Sequence, residues 1–323
     1  MSEKAIVYLD TKFWIILRDV QLNNVSCAKK IKLYNTIIEL NESGKIIIPI
    51  SHYVLNEFVK QKDKDTLKEC FDLILQLSGN ISIRDYHERI FEELILFITL
   101  IKNGELNTKL DVISQYVWTQ IPYTFGKFVC SDGDDVSYDE VVQDVIFERK
   151  TIDSEFLSMI LDKSENMSDY PDPTCMINAK RKDKYGSSAK NQCSEFYLAL
   201  KKGLIANALK EVMGSYNEEN VNQIFIILNN LKYKNKLGNF LPTLNTYSTL
   251  LSTWLVEQQS NIKVNHYFDI HHASAALPYF DVFLTEKSLK DAIQRVSPKY
   301  LSFNKCKVGS TPEEAIEILN SIK

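Results

Sequence analysis

The stretch AIVYLDTKFWIILRDV, residues 5–20, decides the fold of this chain. Its first five residues, Ala5 to Leu9, form a short apolar run with β-branched side chains, which is typical of a strand buried on both faces of a parallel sheet. The residues after Asp10 place apolar side chains at helical spacing. A buried strand that leads directly into a helix is the repeating unit of α/β proteins, so we predict a parallel sheet flanked by helices.

The same unit recurs near both ends of the chain. The run KIIIPI at residues 45–50 predicts a second strand after a helix over 28–41, and Ser51 is suited to cap the next helix. Near the other end the pattern predicts a helix opening at Asp269, a strand over 282–284, a helix over 286–296, a strand over 300–303 and a final helix from Thr311. The sheet is therefore expected to be assembled from both chain ends.

The long middle of the chain has a different pattern. Between residues 61 and 260 apolar residues recur at helical spacing and strand alternation is absent. Helices are predicted there over 67–77, 86–101, 136–149, 156–161, 189–212, 221–231 and 247–258. No flexible linker composition divides the chain. We therefore expect one core, formed by residues 1–60 plus 261–323, with residues 61–260 as a large all-α insertion.

Composition and charge narrow the functional classes. The 323 residues are 45% hydrophobic and 25% charged, as in ordinary globular proteins. Six cysteines without CxxC spacing argue against a zinc site. No signal peptide pattern and no apolar run of membrane-spanning length is present, so we expect a cytoplasmic protein without membrane association. A net charge of −4 means that nucleic-acid binding needs a local basic patch. One candidate patch is Lys180, Arg181, Lys182 and Lys184, and another is Lys232, Lys234 and Lys236; each is equally explained as a solvated loop or helix face.

Four carboxylates lie where predicted strands give way to helices: Asp10, Glu57, Asp269 and Glu286. In open α/β sheets the carboxyl ends of the parallel strands meet at one edge, so residues far apart in sequence converge there. Carboxylates brought together repel one another unless cations neutralise them. Oxygen donors without a thiolate favour Mg²⁺ or Mn²⁺ over zinc. The pattern therefore predicts a divalent-metal site and phosphodiester chemistry.

Each acid also has a simpler explanation. Asp10 and Asp269 are both suited to cap a helix, which needs no metal. Glu57 is harder to explain in this way, because its helix is otherwise apolar at Val54, Leu55 and Phe58, and burying an unpaired carboxylate is costly.

Other polar residues flank these acids in the sequence. Thr11 and Thr285 are candidates to donate hydrogen bonds to a carboxylate or phosphate, and His272 is a candidate donor beside the site. Asp281 stands at the start of the predicted strand that Glu286 follows.

Together these motifs resemble those of the PIN-domain nucleases. The matching segments, in order, are Leu9-Asp10-Thr11, Ile50-Ser51 with Glu57, DIHHASA at 269–275 and DVFLTE at 281–286. The resemblance covers about the first sixty and the last sixty residues. It implies a parallel sheet flanked by helices and cleavage of single-stranded or structured RNA by acidic side chains with a divalent metal.

The resemblance also implies roles for single residues. Asp10, Glu57 and Asp269 would hold the metal, and Glu286 would take the fourth position, where the family usually carries Asp. The spacing from Asp269 favours Glu286 over Asp281. Lys12 stands where the family often carries Asn, which would alter substrate contacts.

We therefore expect an Mg²⁺- or Mn²⁺-dependent endoribonuclease whose insertion tunes access to the RNA. A toxin or defence effector is one setting that suits a PIN-like chain of this size, with a homo-oligomer or a regulatory protein as partner. Two alternatives stay open: a catalytically silent PIN-like binding or assembly protein, and a DNA-directed single-strand or flap nuclease, since the 2′-hydroxyl contacts that separate RNA from DNA are not visible in a sequence.

Overall fold

The computed structural model describes residues 4–59, 63–104, 114–121, 124, 130–132, 135–137, 174, 202–257, 263–296 and 305–322. In this part the chain is a mostly helical α/β protein whose helices flank a parallel four-stranded sheet. The predicted α/β class is therefore confirmed.

The strands are short. In chain order they are β1 (Ala5–Leu9), β2 (Ile46–Ile47), β3 (Ile50–Ser51), β4 (Ile81–Ile83), β5 (Trp118–Gln120), β6 (Cys130–Asp132), β7 (Asp135–Ser137), β8 (Val282–Leu284) and β9 (Lys307–Gly309).

The helices are longer. They are α1 (Thr11–Gln21), α2 (Ala28–Glu42), α3 (His52–Val59), α4 (Lys64–Ser78), α5 (Tyr86–Asn103), α6 (Lys202–Met213), α7 (Glu218–Tyr233), α8 (Pro242–Glu257), α9 (Val264–Tyr279), α10 (Lys287–Arg295) and α11 (Pro312–Asn320). None of the described helices combines the length and the apolar character that crossing a bilayer requires.

The four-stranded sheet has the order β2-β1-β8-β9, and each pairing is parallel. Two of its strands come from the first 60 residues and two from the last 60. Val7, Leu9 and Phe283 are at most 1% exposed, as expected for apolar strands covered on both faces. Leu9 lies opposite Leu284, so the carboxyl ends of β1 and β8 are level. Residues that follow these two strands are therefore neighbours.

A second sheet continues from the first. β3 follows β2 after Ile48 and Pro49, and it pairs with β4, which in turn pairs antiparallel with β5. β3 and β4 are parallel, so their carboxyl ends also lie side by side. The Tyr8 hydroxyl of β1 lies 2.7 Å from Ser51 Oγ at the end of β3, so α3, whose second turn carries Glu57, begins beside the first sheet.

The prediction of an all-helical span from 61 to 260 is wrong for β4 to β7. Each of these strands has three residues, which is too short to show an alternating pattern. The strand predicted over 300–303 and the helix predicted over 156–161 lie outside the described residues. The helix predicted over 136–149 is wrong at residues 136 and 137, which belong to β7, and its other residues lie outside the described ones. The last strand that the structure describes, β9, was not predicted, because Lys307 is exposed and only Gly309 is fully buried.

Helix α9 begins at Val264, five residues before the predicted start at Asp269. A buried polar network ties this helix to α5 and α8. Glu93 Oε1 accepts hydrogen bonds from the Thr243 backbone N–H at 3.0 Å and from the Tyr279 hydroxyl. Burial raises the pKa of Glu93 to about 7, although the hydrogen bonds from Thr243 and Tyr279 oppose this shift. The network holds the C-terminal end of α9 against α5 and α8. The candidate site residues Asp269 and His272 lie earlier in the same helix.

Candidate metal centre

Asp10 directly follows the carboxyl end of β1 and is the N-cap residue of α1. Its backbone N–H donates to the Leu284 carbonyl at 2.9 Å, and its Oδ1 accepts from the Lys12 N–H at 3.4 Å. Its other oxygen, Oδ2, accepts from the Thr285 hydroxyl at 2.7 Å. Only 5% of Asp10 is exposed. The capping role therefore uses one carboxylate oxygen, and the pairing of β1 with β8 orients the other.

Glu57 approaches the same edge from α3. Its Oε2 accepts a hydrogen bond from the hydroxyl of Thr11, the first residue of α1. Thr11 follows Asp10 directly, so the two carboxylates lie next to each other. Each carboxylate is thus oriented by one threonine hydroxyl, and both threonines were singled out as donors in the sequence.

His272 completes the cluster from α9. Its ring is 1% exposed, and its Nε2 lies 3.5 Å from Glu57 Oε2. On the other side of the ring, Nδ1 lies 2.7 Å from the Tyr8 hydroxyl, which in turn lies 2.7 Å from Ser51 Oγ. Tyr8 and Ser51 belong to the strands β1 and β3, so both sheets orient this imidazole.

Asp10, Glu57 and His272 form a group that suits a metal ion. One ligand atom from each of them lies within 4.8 Å of the other two. His272 Nε2 is buried and, among the described residues, makes no hydrogen bond, although it lies at ion-pair distance from Glu57 Oε2. A buried nitrogen that faces carboxylates has the donor chemistry of a divalent-metal ligand. The residues present therefore fit a metal ion.

Comparison with protein-family models, with curated proteins and with solved structures finds no match to this chain.

The electrostatics of the cluster reflect crowded negative charge. Burial alone would lower the pKa of His272, but the neighbouring Tyr8 and the carboxylates of Glu57 and Asp10 outweigh it and raise the pKa well above its usual value. Burial raises the pKa of Asp269 to about 7, aided by repulsion from Asp10. In the absence of a metal, protons on these two groups offset the negative charge.

Asp269 and Glu286 lie beside the cluster and are not part of it. Asp269 is half-buried in the second turn of α9, three residues before His272, so its interpretation as a helix cap is wrong. Glu286 is exposed at the N-cap position of α10. It lies close enough to contribute to the raised pKa of Asp269.

Asp281 lies at the opposite end of β8 from these acids. Its Oδ2 accepts from the backbone N–H of Ile6 at 2.8 Å, close to the start of β1. Since β1 and β8 are parallel, the start of one strand cannot lie beside the exit of the other. The expectation that Asp281 supports the site is therefore wrong, and Glu286 is the acid at the strand exit.

The predicted basic contacts are only partly described. Lys12 is half-buried, and its Nζ donates to the Ser310 carbonyl at 3.3 Å, just after β9. It therefore lies along the same edge of the sheet as Asp10. The cluster Lys180, Arg181, Lys182 and Lys184 lies outside the described residues.

The sequence indicated His272 only as a donor beside the site and Ser51 only as a helix cap, and it gave no role to Tyr8. One signal was available, because Asp269 and His272 are three residues apart and so share a helix face. The contacts of Tyr8 with Ser51 and His272 span 43 and 264 residues of sequence, and no local pattern reveals them.

Proposed function

We propose that this protein is a metal-dependent endoribonuclease of PIN-like architecture. The observation that carries the proposal is the convergence of Asp10, Glu57 and His272 within 4.8 Å at the carboxyl edge of a parallel sheet. Such an edge is where α/β folds place ligand sites. Helices between the two chain ends would form the insertion, with β4 and β5 as an extension of the core.

The chain's own side chains have defined tasks in this reaction. Asp10 and Glu57 would hold the ion, each kept in place by a threonine hydroxyl. An Mg²⁺ or Mn²⁺ ion bound there would polarise a phosphoryl oxygen and lower the pKa of an attacking water. Asp269, half-buried beside the cluster, is placed to accept a proton once a cation lowers its pKa. Glu286 would add negative charge at the exposed rim.

Features around the cluster favour an unpaired nucleic acid strand as the substrate. Phe268 precedes His272 by one helical turn, so the two share a face of α9. The Phe268 ring lies 6.3 Å from the ring of Tyr53, centroid to centroid. Phe268 is half-buried, and an aromatic side chain beside a metal site suits stacking on an unpaired base. Lys12 supplies positive charge at the same edge.

Cleavage assays on labelled oligomers test the proposal. We expect the full-length protein to cut single-stranded RNA with Mn²⁺ or Mg²⁺ and to leave it intact in chelator. Cutting of DNA at an equal rate would favour the DNA-directed alternative. RNA binding without cleavage, under every metal condition, would favour a silent binding protein and contradict the proposal.

Lys12→Gln tests the phosphate contact. Loss of one cation beside the scissile strand should weaken RNA binding and reduce the slope of log affinity against log salt by about one. Metal affinity should not fall, because Lys12 contributes no ligand atom and its positive charge repels a cation. Binding measured by fluorescence anisotropy at several salt concentrations checks this result.

Lys32→Gln provides the matched control, because Lys32 is exposed on α2 and no sequence motif or site contact involves it. It should keep the salt slope of the wild type. An unchanged slope in Lys12→Gln as well would remove Lys12 from the substrate site.

A further inference from the structure

The ligand set at the carboxyl edge contains a nitrogen donor, which an all-carboxylate site would lack. His272 Nε2 is the donor, since it faces Glu57 Oε2 at the ion-pair distance of 3.5 Å and is a buried polar atom that makes no hydrogen bond within the part of the chain that the structure describes. The ring cannot easily turn its other nitrogen toward the carboxylates, because Nδ1 is engaged with Tyr8.

We propose that His272 binds the divalent ion directly through Nε2, and that this nitrogen makes the site select Mn²⁺ over Mg²⁺. The inference deepens the proposed metal site, but it rests on metal binding alone and does not require RNA cleavage.

The hydrogen bonds behind His272 supply the tautomer that this role needs. A neutral imidazole that donates from Nδ1–H to the Tyr8 oxygen leaves the Nε2 lone pair free for a metal. The Tyr8 hydroxyl can then donate its own hydrogen bond to Ser51 Oγ, which lies 2.7 Å away. Metal-bound histidines commonly donate their second N–H in this way, which fixes the ring and increases its basicity. Both Tyr8 and Ser51 are buried, so bulk water does not compete for these two hydrogen bonds.

The dimensions of the group suit one small ion. Ligand atoms about 2.1 Å from a common ion lie at most about 4.2 Å from each other. The three candidate atoms are within 4.8 Å, so small side-chain rotations close the site. Glu57 and His272 already meet this limit at 3.5 Å.

The mixed donor set determines the preference between metals. Mg²⁺ is a hard cation that takes oxygen ligands and gives up its waters reluctantly. Imidazole binds transition metals more readily than it binds Mg²⁺, whereas carboxylates bind both Mg²⁺ and Mn²⁺. A site with two carboxylates and one imidazole therefore favours Mn²⁺, and it loses that preference when the nitrogen is removed.

The test measures the metal itself on the full-length protein after chelator treatment. Titration with Mn²⁺, followed by the electron paramagnetic resonance signal of the free ion, gives the Mn²⁺ affinity, and competition gives that of Mg²⁺. We expect Mn²⁺ to bind at least about tenfold more tightly. Pulsed spectra of bound Mn²⁺ should show coupling to a nitrogen nucleus, and protein grown with ¹⁵N-histidine should change that coupling from the ¹⁴N to the ¹⁵N pattern.

Three variants distinguish the contribution of His272 to metal binding from those of nearby residues. His272→Gln should lose the nitrogen coupling and most of the Mn²⁺ preference. His266→Gln, in the first turn of the same helix and stacked on Trp254, should keep both. Tyr8→Phe should keep the coupling but weaken Mn²⁺ binding by roughly 10- to 100-fold, the usual effect of losing an outer hydrogen bond to a ligand.

The wild-type spectra decide the matter even if His272→Gln does not fold. Bound Mn²⁺ without histidine nitrogen coupling, or equal affinities for Mn²⁺ and Mg²⁺, would overturn the inference. RNA cleavage by a protein whose Mn²⁺ has only oxygen ligands would overturn this inference alone. Nitrogen-coordinated Mn²⁺ in a protein that cuts no nucleic acid would overturn only the proposed function.

Discussion

Asp10→Asn is expected to lower the rate of metal-dependent RNA cleavage by more than about 100-fold. Loss of a residue that hydrogen-bonds to a metal ligand already lowers metal affinity or activity by about 10- to 100-fold. Loss of a carboxylate that holds the ion directly should lower the cleavage rate further. Asparagine keeps an oxygen that can accept from the Lys12 N–H, so α1 keeps its cap. Single-turnover cleavage of a labelled RNA at saturating protein measures this loss.

Asp72→Asn is the matched control for this variant. Asp72 is exposed on α4, and the same change of charge there should leave cleavage unchanged. Asp10→Asn should also weaken metal binding while the melting temperature of the metal-free protein stays close to that of the wild type or rises. Undiminished cleavage by Asp10→Asn would remove Asp10 from the metal site.

Asp269→Asn is expected to stabilise the metal-free protein at neutral pH and above. Asp269 has a folded-state pKa raised to about 7 from 3.8, so the folded protein keeps a proton that the unfolded chain releases. This group therefore stabilises the folded state fully below about pH 4, and the contribution is lost as the pH rises to about 7. The shift corresponds to roughly 2 to 4 kcal/mol above pH 7, and a neutral asparagine avoids this loss.

The wild type and Asp269→Asn differ by this one titrating group and by its charge interactions with Asp10, His272, Glu286 and Glu57. Thermal melts in chelator should give equal melting temperatures near pH 4, and the variant should melt several degrees higher near pH 7.5. His272 has a raised pKa as well, so its contribution is also lost as the pH rises, but it is present in both proteins. Addition of Mn²⁺ should stabilise the wild type more than the variant, since the ion binds the ionised cluster. A variant less stable than the wild type at pH 7.5 in chelator would contradict this account.

The parts of the fold that could be predicted are those with a local cause. The strands β1 and β8 are buried on both faces, so their residues are apolar without interruption, and the predicted ranges match those observed. Asp10 and Glu286 follow these two strands, and the parallel pairing of β1 with β8 brings both residues to the same edge of the sheet, as predicted. Glu57 stood out because an acid among buried apolar residues needs a partner.

The parts that could not be predicted depend on contacts between distant residues. β4 has only three residues and is recognisable only by its pairing with β3. Asp281 and Glu286 flank the same strand, and only the direction of β8 beside β1 separates their roles. The place of His272 beside the carboxylates depends on Tyr8 and Glu57, which reach it from elements near the other end of the chain.

Diffraction from a crystal grown with Mn²⁺ is the most direct test of the central claim, that residues from both chain ends converge on one ion. An anomalous difference map collected at the manganese absorption edge locates the metal without reference to activity. We predict one strong peak between the carboxylates of Asp10 and Glu57 and Nε2 of His272. A map whose only peaks lie elsewhere on the protein, in crystals where these three side chains are well ordered, would contradict the account.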